Sequence, residues 1–261
     1  MVKELGKLSI DQAKVILGLI PQIEAQWVEL SGLLKDEPAK VERVLTPPYA
    51  WAGAYQFSFL ELASLVVVLL GAKDRVQVAV KKQDPQQAII DDLIHGDPPA
   101  EGLPDLGVPP AVHVNSVFGA LRALVVSISA IKHYGIPMDI LVDRARTDDV
   151  WLFKAVRMDR SALACPPIAD RLAKAELLED AGFFRKLKNA LAGPPSKPSD
   201  EYGVLRYALC LIDEACGLDS MTRTERADLF CEQLGLYPYE NNDAEKSLEQ
   251  FIRRWKKSRT T

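Results

Sequence analysis

Apolar positions in this chain recur mostly at the three-to-four-residue spacing of helices, and they are densest from Val114 to His133 (VNSVFGALRALVVSISAIKH). That run amounts to about five helical turns. Pro109 and Pro110 punctuate its start, and His133-Tyr134-Gly135 followed by Pro137 stops it. Nearly every turn is apolar on all sides, which predicts a helix buried in the middle of a bundle. Gly119, Ala120 and Ala123 leave a strip small enough for a neighbour to approach closely. Arg122 in mid-run, with Ser127 and Ser129 after it, argues against a membrane span.

The first half of the chain carries further helical signals. Ser9 and Gln12 have capping-box spacing ahead of Ile10, Ala13, Ile16 and Leu17. The helix they open is expected to bend or restart at Pro21, and Ile23, Trp27, Leu30 and Leu34 continue the periodicity. Pro47 to Trp51 is an aromatic-rich break packed on the core. A second strongly apolar helix is predicted over residues 57–70; Val66-Val67-Val68 favours strand locally, but the length and the Glu61-to-Ser64 lead-in favour helix. Asp84-Pro85 starts a short helix ending near His95-Gly96. Residues 97–110 hold five Pro and two Gly and read as a loop.

Beyond the central helix, short helices are predicted over 140–146, capped by Pro137-Met138-Asp139, and over 150–158 behind Asp148 and Asp149. Others follow Pro166-Pro167 (168–178) and Asp180 (183–191). Residues 193–200 read as a linker, and helices at 202–216, 222–234 and 243–257 follow, the second with a Thr222/Glu225 capping box. No fixed-period repeat or strand alternation interrupts this pattern. The expected fold is all-α: a multi-helix bundle domain over 1–192, then a small C-terminal three-helix subdomain over 201–261.

Composition narrows the function classes. At 48% hydrophobic and 26% charged, the 261 residues suit a globular protein. The net charge of −4 argues against a polyanion binder that uses its whole surface. The last helix departs from that balance. Ala244, Leu248, Phe251, Ile252 and Trp255 form one apolar stripe, while Arg253, Arg254, Lys256, Lys257 and Arg259 crowd the final turns without an acid among them. Such residues suit contact with phosphates, although cations at a helix C-terminus also complement its dipole. A helix-turn-helix is disfavoured, because Gly235 to Asn242 exceeds that motif's short turn.

Catalytic signatures are missing: there is no phosphate loop, dinucleotide fingerprint, His-Glu-x-x-His or nucleophile elbow. Asp91 and His95 are four apart but have no third ligand in view, so no metal or cofactor is expected. Cys165 precedes a helix start, where a dipole lowers a thiol pKa; Cys165, Cys210, Cys216 and Cys231 nonetheless read as structural, reduced thiols of a cytoplasmic protein. No secretory signal opens the chain. Glu61 and Arg122 are opposite charges set in the two most apolar helices and are expected to pair. The sequence thus points to a non-enzymatic helical binding or regulatory protein, with the basic last helix contacting nucleic acid or an acidic protein surface. The alternatives are an enzyme whose site is assembled in space around Glu61, Arg122 or His133, and a structural subunit of a larger complex.

Overall fold

Local start and stop signals set most helix boundaries in the computed structural model, which describes residues 9–36, 50–84, 87–88, 91–92, 110–193, 202–238 and 243–260. The Gln12 amide donates to Ser9 Oγ at 3.2 Å and the Ser9 amide to Gln12 Oε1 at 2.9 Å, opening α1 (Ile10–Asp36). α1 runs through Pro21 without a break. Burial of Leu17, Leu19 and Ile20 just before the proline outweighs the one backbone hydrogen bond it removes.

A 3-10 turn (Ala50–Gln56) then leads to α2 (Phe59–Leu69) and α3 (Lys73–Ala79). The central run forms α4 (Pro110–Tyr134), stopped by Gly135 at φ 77, a conformation that favours glycine. Next come α5 (Met138–Arg144), α6 (Asp149–Met158), α7 (Pro166–Leu177) and α8 (Ala181–Ala192), with Asp148 and Asp180 capping α6 and α8. The last helices are α9 (Gly203–Cys216), α10 (Arg223–Ala227), which continues as a π-helical turn over Asp228–Gln233, and α11 (Ala244–Thr260). No strand occurs among the described residues, and the fold is all-α.

α4 occupies the centre. It packs on α1, α2, α5, α6, α9 and the 3-10 turn, with Leu124, Ile128 and Ile131 fully buried. By length and composition Ser116–Tyr134 is apolar enough to cross a membrane, as no other helix among the described residues is. Here its polar groups are matched within the protein: Arg122 pairs with Asp159, and Ser127 Oγ accepts from the Met138 amide at 3.1 Å. α9 lies against α1, α2 and α4, so Leu205, Leu209 and Ile212 share one hydrophobic core with Leu62 and Leu124. The core is therefore continuous from the bundle helices into α9. Residues 97–109, 194–200 and His95 lie outside the described residues.

Candidate functional site

Arg122 finds a partner other than the one its sequence context suggests. Its Nη2 lies 3.3 Å from Asp159 Oδ1, and its guanidinium sits 5.0 Å from the Trp51 ring centre. Asp159 ends α6; it accepts from Trp51 Nε1 at 3.0 Å, from the Ser161 amide at 3.0 Å and from the Tyr55 hydroxyl. Burial alone would raise this carboxyl; the Arg122 charge and the Tyr55 and Ser161 hydrogen bonds outweigh burial and hold it below the usual range. Glu61 does not reach Arg122. It closes a capping box at the start of α2, where its Oε2 accepts from the Ser58 amide at 2.8 Å. The expected Glu61–Arg122 pair is thus replaced by a helix cap and by an Asp159 node that welds α4, α6 and the 3-10 turn together.

A second polar cluster anchors α11. Arg259 reaches Glu214 Oε1 at 3.3 Å and Asp213 Oδ2 at 3.5 Å, while Lys256 reaches Asp219 at 2.8 Å and Asp213 at 3.8 Å. The Leu60 amide also donates to Glu214, at 2.8 Å. Asp139 stands nearby in the first turn of α5, whose N-cap is Pro137, so the carboxylate does not cap as expected. Its Oδ1 is buried without a hydrogen-bond partner, and burial, followed by the charge of Glu214, raises its pKa to about 7.

Asp139 and Arg259 border a cleft of about 560 Å3 shared with Tyr55, Arg144, Arg146 and Cys165. Its arginines are answered internally: Arg146 pairs with Asp143 at 3.1 Å, and Arg144 donates to the Ser258 carbonyl and stacks 4.6 Å from Trp151. Burial pushes the Cys165 thiol up to about 11, so it is held protonated and is a poor nucleophile. Cys210 is buried and its thiol is raised likewise. Asp91 accepts from Gln87 Nε2 at 2.7 Å. Among the described residues no three His, Cys, Asp or Glu side chains gather to hold a metal.

The five basic residues singled out on the last helix divide into two sets. Lys256 and Arg259 turn inward onto the acids of α9 and the turn after it. Arg253, Arg254 and Lys257 remain exposed to solvent. The division follows from helix geometry: the buried stripe of Leu248, Ile252 and Trp255 fixes one face, and positions 256 and 259 flank it. α10 secures the other end of α11 through Arg226–Glu249 at 2.9 Å and Arg223–Glu245 at 3.4 Å.

Beside this exposed ridge lies the larger cleft, about 690 Å3, between the C-terminal end of α4, the start of α9, the segment holding Tyr237, and α11. Tyr202 and Tyr237 stack at 5.2 Å between ring centres, and Phe251 meets Tyr202 edge-on at 5.3 Å. His133, Arg206 and Arg254 supply polar nitrogen groups, and no carboxylate stands among the described residues that line the cleft. His133 Nδ1 lies 2.7 Å from the Ser129 carbonyl, which can only accept, so that nitrogen carries a proton and Nε2 is the second polar atom of the ring. Of these groups, sequence reasoning reached Arg254 through the basic run and His133 as a possible pocket residue. Tyr202, Arg206 and Tyr237 carried no local signal, because they converge only when α9 and α11 pack. No family model, curated protein or solved structure matches this chain.

Proposed function

We propose that this is a non-enzymatic binding protein whose partner is nucleic acid, held by the exposed ridge Arg253, Arg254 and Lys257 of α11. One observation carries this reading. The fold turns Lys256 and Arg259 onto its own acids, whereas Arg253 and Arg254 stand exposed on the outer face of α11, with Lys257 also exposed, beside a cleft among whose described lining residues there is no carboxylate. Exposed Arg and Lys next to aromatic rings suit a polymer that carries both phosphates and bases. On a chain of net charge −4, such contact is local and weakens steeply with salt.

The test is direct binding of RNA, duplex DNA and polyglutamate by the intact chain and by the triple variant Arg253→Gln, Arg254→Gln, Lys257→Gln. The reading expects the nucleic acids to bind and the triple variant to lose most of that affinity. Binding of polyglutamate alone would point to an acidic protein partner. Equal binding by the variant would remove the ridge from the account.

A further inference from the structure

The smaller cleft, about 560 Å3 and within the range of small-ligand pockets, is bordered by one carboxyl that the protein does not answer. Its arginines are all engaged. Arg259 is shared between Asp213 and Glu214, Arg146 lies 3.1 Å from Asp143, and Arg144 is taken up by the Ser258 carbonyl and the Trp151 ring. Glu214 is equally well served, accepting from the Leu60 amide at 2.8 Å and from Arg259. Asp139 is the exception. Its Oδ1 is buried without a hydrogen-bond partner, and the Arg259 charge and the amides of its own turn do not offset burial and the charge of Glu214.

The rest of the wall says what must accompany an answering charge. Ala52, Ile140, Val142, Pro166 and Pro167 give the cleft an apolar side. Cys165 adds a thiol held protonated, and the Tyr55 hydroxyl is committed to Asp159. Gly53 leaves room: a methyl group added there would meet no atom within 4 Å. A carboxylate with unfilled hydrogen-bonding capacity beside hydrocarbon surface is complementary to an ammonium group on an apolar body. A carboxylate shares its charge between both oxygens, so a cation that reaches either one answers it. Arg253, Arg254 and Lys257 do not line this cleft, so the site is independent of the ridge reading.

We infer that the cleft walled by the 3-10 turn, α5 and the start of α7 binds a small organic amine, with the ammonium at Asp139 and the hydrocarbon body against Ile140, Val142, Pro166 and Pro167. No covalent bond changes. The ammonium takes the place of the proton that Asp139 gains near pH 7, and that proton passes to solvent. Glu214 of α9 and Arg259 of α11 act on Asp139 from outside its own helix, while Asp143, Arg144 and Arg146 line the cleft beside it. Tyr55 and Cys165 stay protonated at neutral pH, because burial raises both. Affinity for an amine therefore rises with pH as Asp139 ionises.

Calorimetry on the intact chain compares hexylamine with hexanol and hexanoate, which carry neutral and negative heads on comparable chains, and adds phenethylamine as a second body shape. The titrations are repeated on Asp139→Asn, which keeps the side-chain shape, and on Gly53→Leu, which fills the cleft; circular dichroism confirms that each is folded. The expected result is saturable binding of at least one amine, about tenfold or more tighter than hexanol or hexanoate. Gly53→Leu should abolish it, and Asp139→Asn should reduce the amine to the level of hexanol. Hexylamine stays protonated between pH 6 and 8, and over that range its affinity should rise about tenfold. At pH 7 its binding should release about half a proton, read from titrations in two buffers of different ionisation enthalpy. Equal affinity for hexylamine and hexanol would reveal an apolar hole alone and overturn the inference. Tighter binding of hexanoate, amine binding that survives Asp139→Asn, or failure of both amines to saturate below about 10 mM would overturn it too. Should Gly53→Leu unfold, amide chemical shifts of the intact chain on adding hexylamine take its place. Shifts centred on residues 52–56 and 139–146 support the site, and shifts confined to other segments refute it.

Discussion

The Asp159 node and the cleft beside α11 are built from the same ingredients, arginine set among aromatic rings, and they differ in where a carboxylate stands: one lies at the centre of the node, and none is among the described residues that line the cleft. At Asp159 a single buried carboxylate collects Trp51, Tyr55, Arg122 and the Ser161 amide. In the cleft Arg206 and Arg254 stand with His133 and three rings, and no carboxylate shares the described wall. Charges that the chain completes for itself hold helices together. Exposed charges such as Arg253 and Arg254 lie instead on the outer face of α11, the face a partner would meet.

The largest effect should come from breaking the completed node. Asp159→Ala strands Arg122 and is expected to destabilise by about 3–5 kcal/mol in equilibrium denaturation. Tyr55→Phe removes one of several donors and should cost only about 1 kcal/mol. The sign with pH follows from the lowered Asp159 carboxyl: its contribution is present above the ordinary carboxylate range and is lost as pH falls through the still lower folded value. Acid unfolding of the intact chain should therefore steepen below about pH 4, and Asp159→Asn should flatten that limb.

Asp139 carries the opposite sign. Its folded pKa is raised to about 7, so its favourable contribution holds at low pH and disappears as pH rises towards neutrality. Asp139→Asn should stabilise the protein more at pH 8 than at pH 4, by about 1–4 kcal/mol. Equal gains at the two pH values would show that the buried carboxyl is not titrating in this way.

A smaller effect separates the two halves of the basic run. Lys256→Gln together with Arg259→Gln removes ion pairs to Asp213, Glu214 and Asp219, and should lower stability by about 1–2 kcal/mol. Nucleic-acid affinity should barely change. Arg253, Arg254 and Lys257, changed to Gln, should do the reverse, altering stability by less than about 0.5 kcal/mol.

What could be read from the sequence was whatever depended on neighbours a few residues away. The Ser9 and Thr222 capping boxes, the stop at Gly135 and the apolar stripe of α11 all obey spacing rules within one helix. The partner of Arg122 did not, because Asp159 sits at a helix end outside both apolar helices and carries no pattern of its own. Glu61 was misleading for a related reason: an acid three residues after Ser58 serves its own helix start before it serves a distant arginine. The basic run was visible, but its division into inward and outward sets depends on acids of α9 and its following turn, which lie some forty residues away along the chain. The cleft required three separate segments to converge, and no window along the sequence contains them.

The salt dependence of binding tests the central claim most directly. Single-stranded RNA affinity is measured between about 50 and 200 mM salt for the intact chain, the Lys256/Arg259 variant and the Arg253/Arg254/Lys257 variant. With each phosphate contact contributing about 0.7 to the log–log slope on single strands, the outward variant should lose about two units of slope and the inward variant none. Equal slopes for all three chains, or a loss confined to the inward variant, would contradict the assignment of the exposed ridge to a nucleic-acid partner.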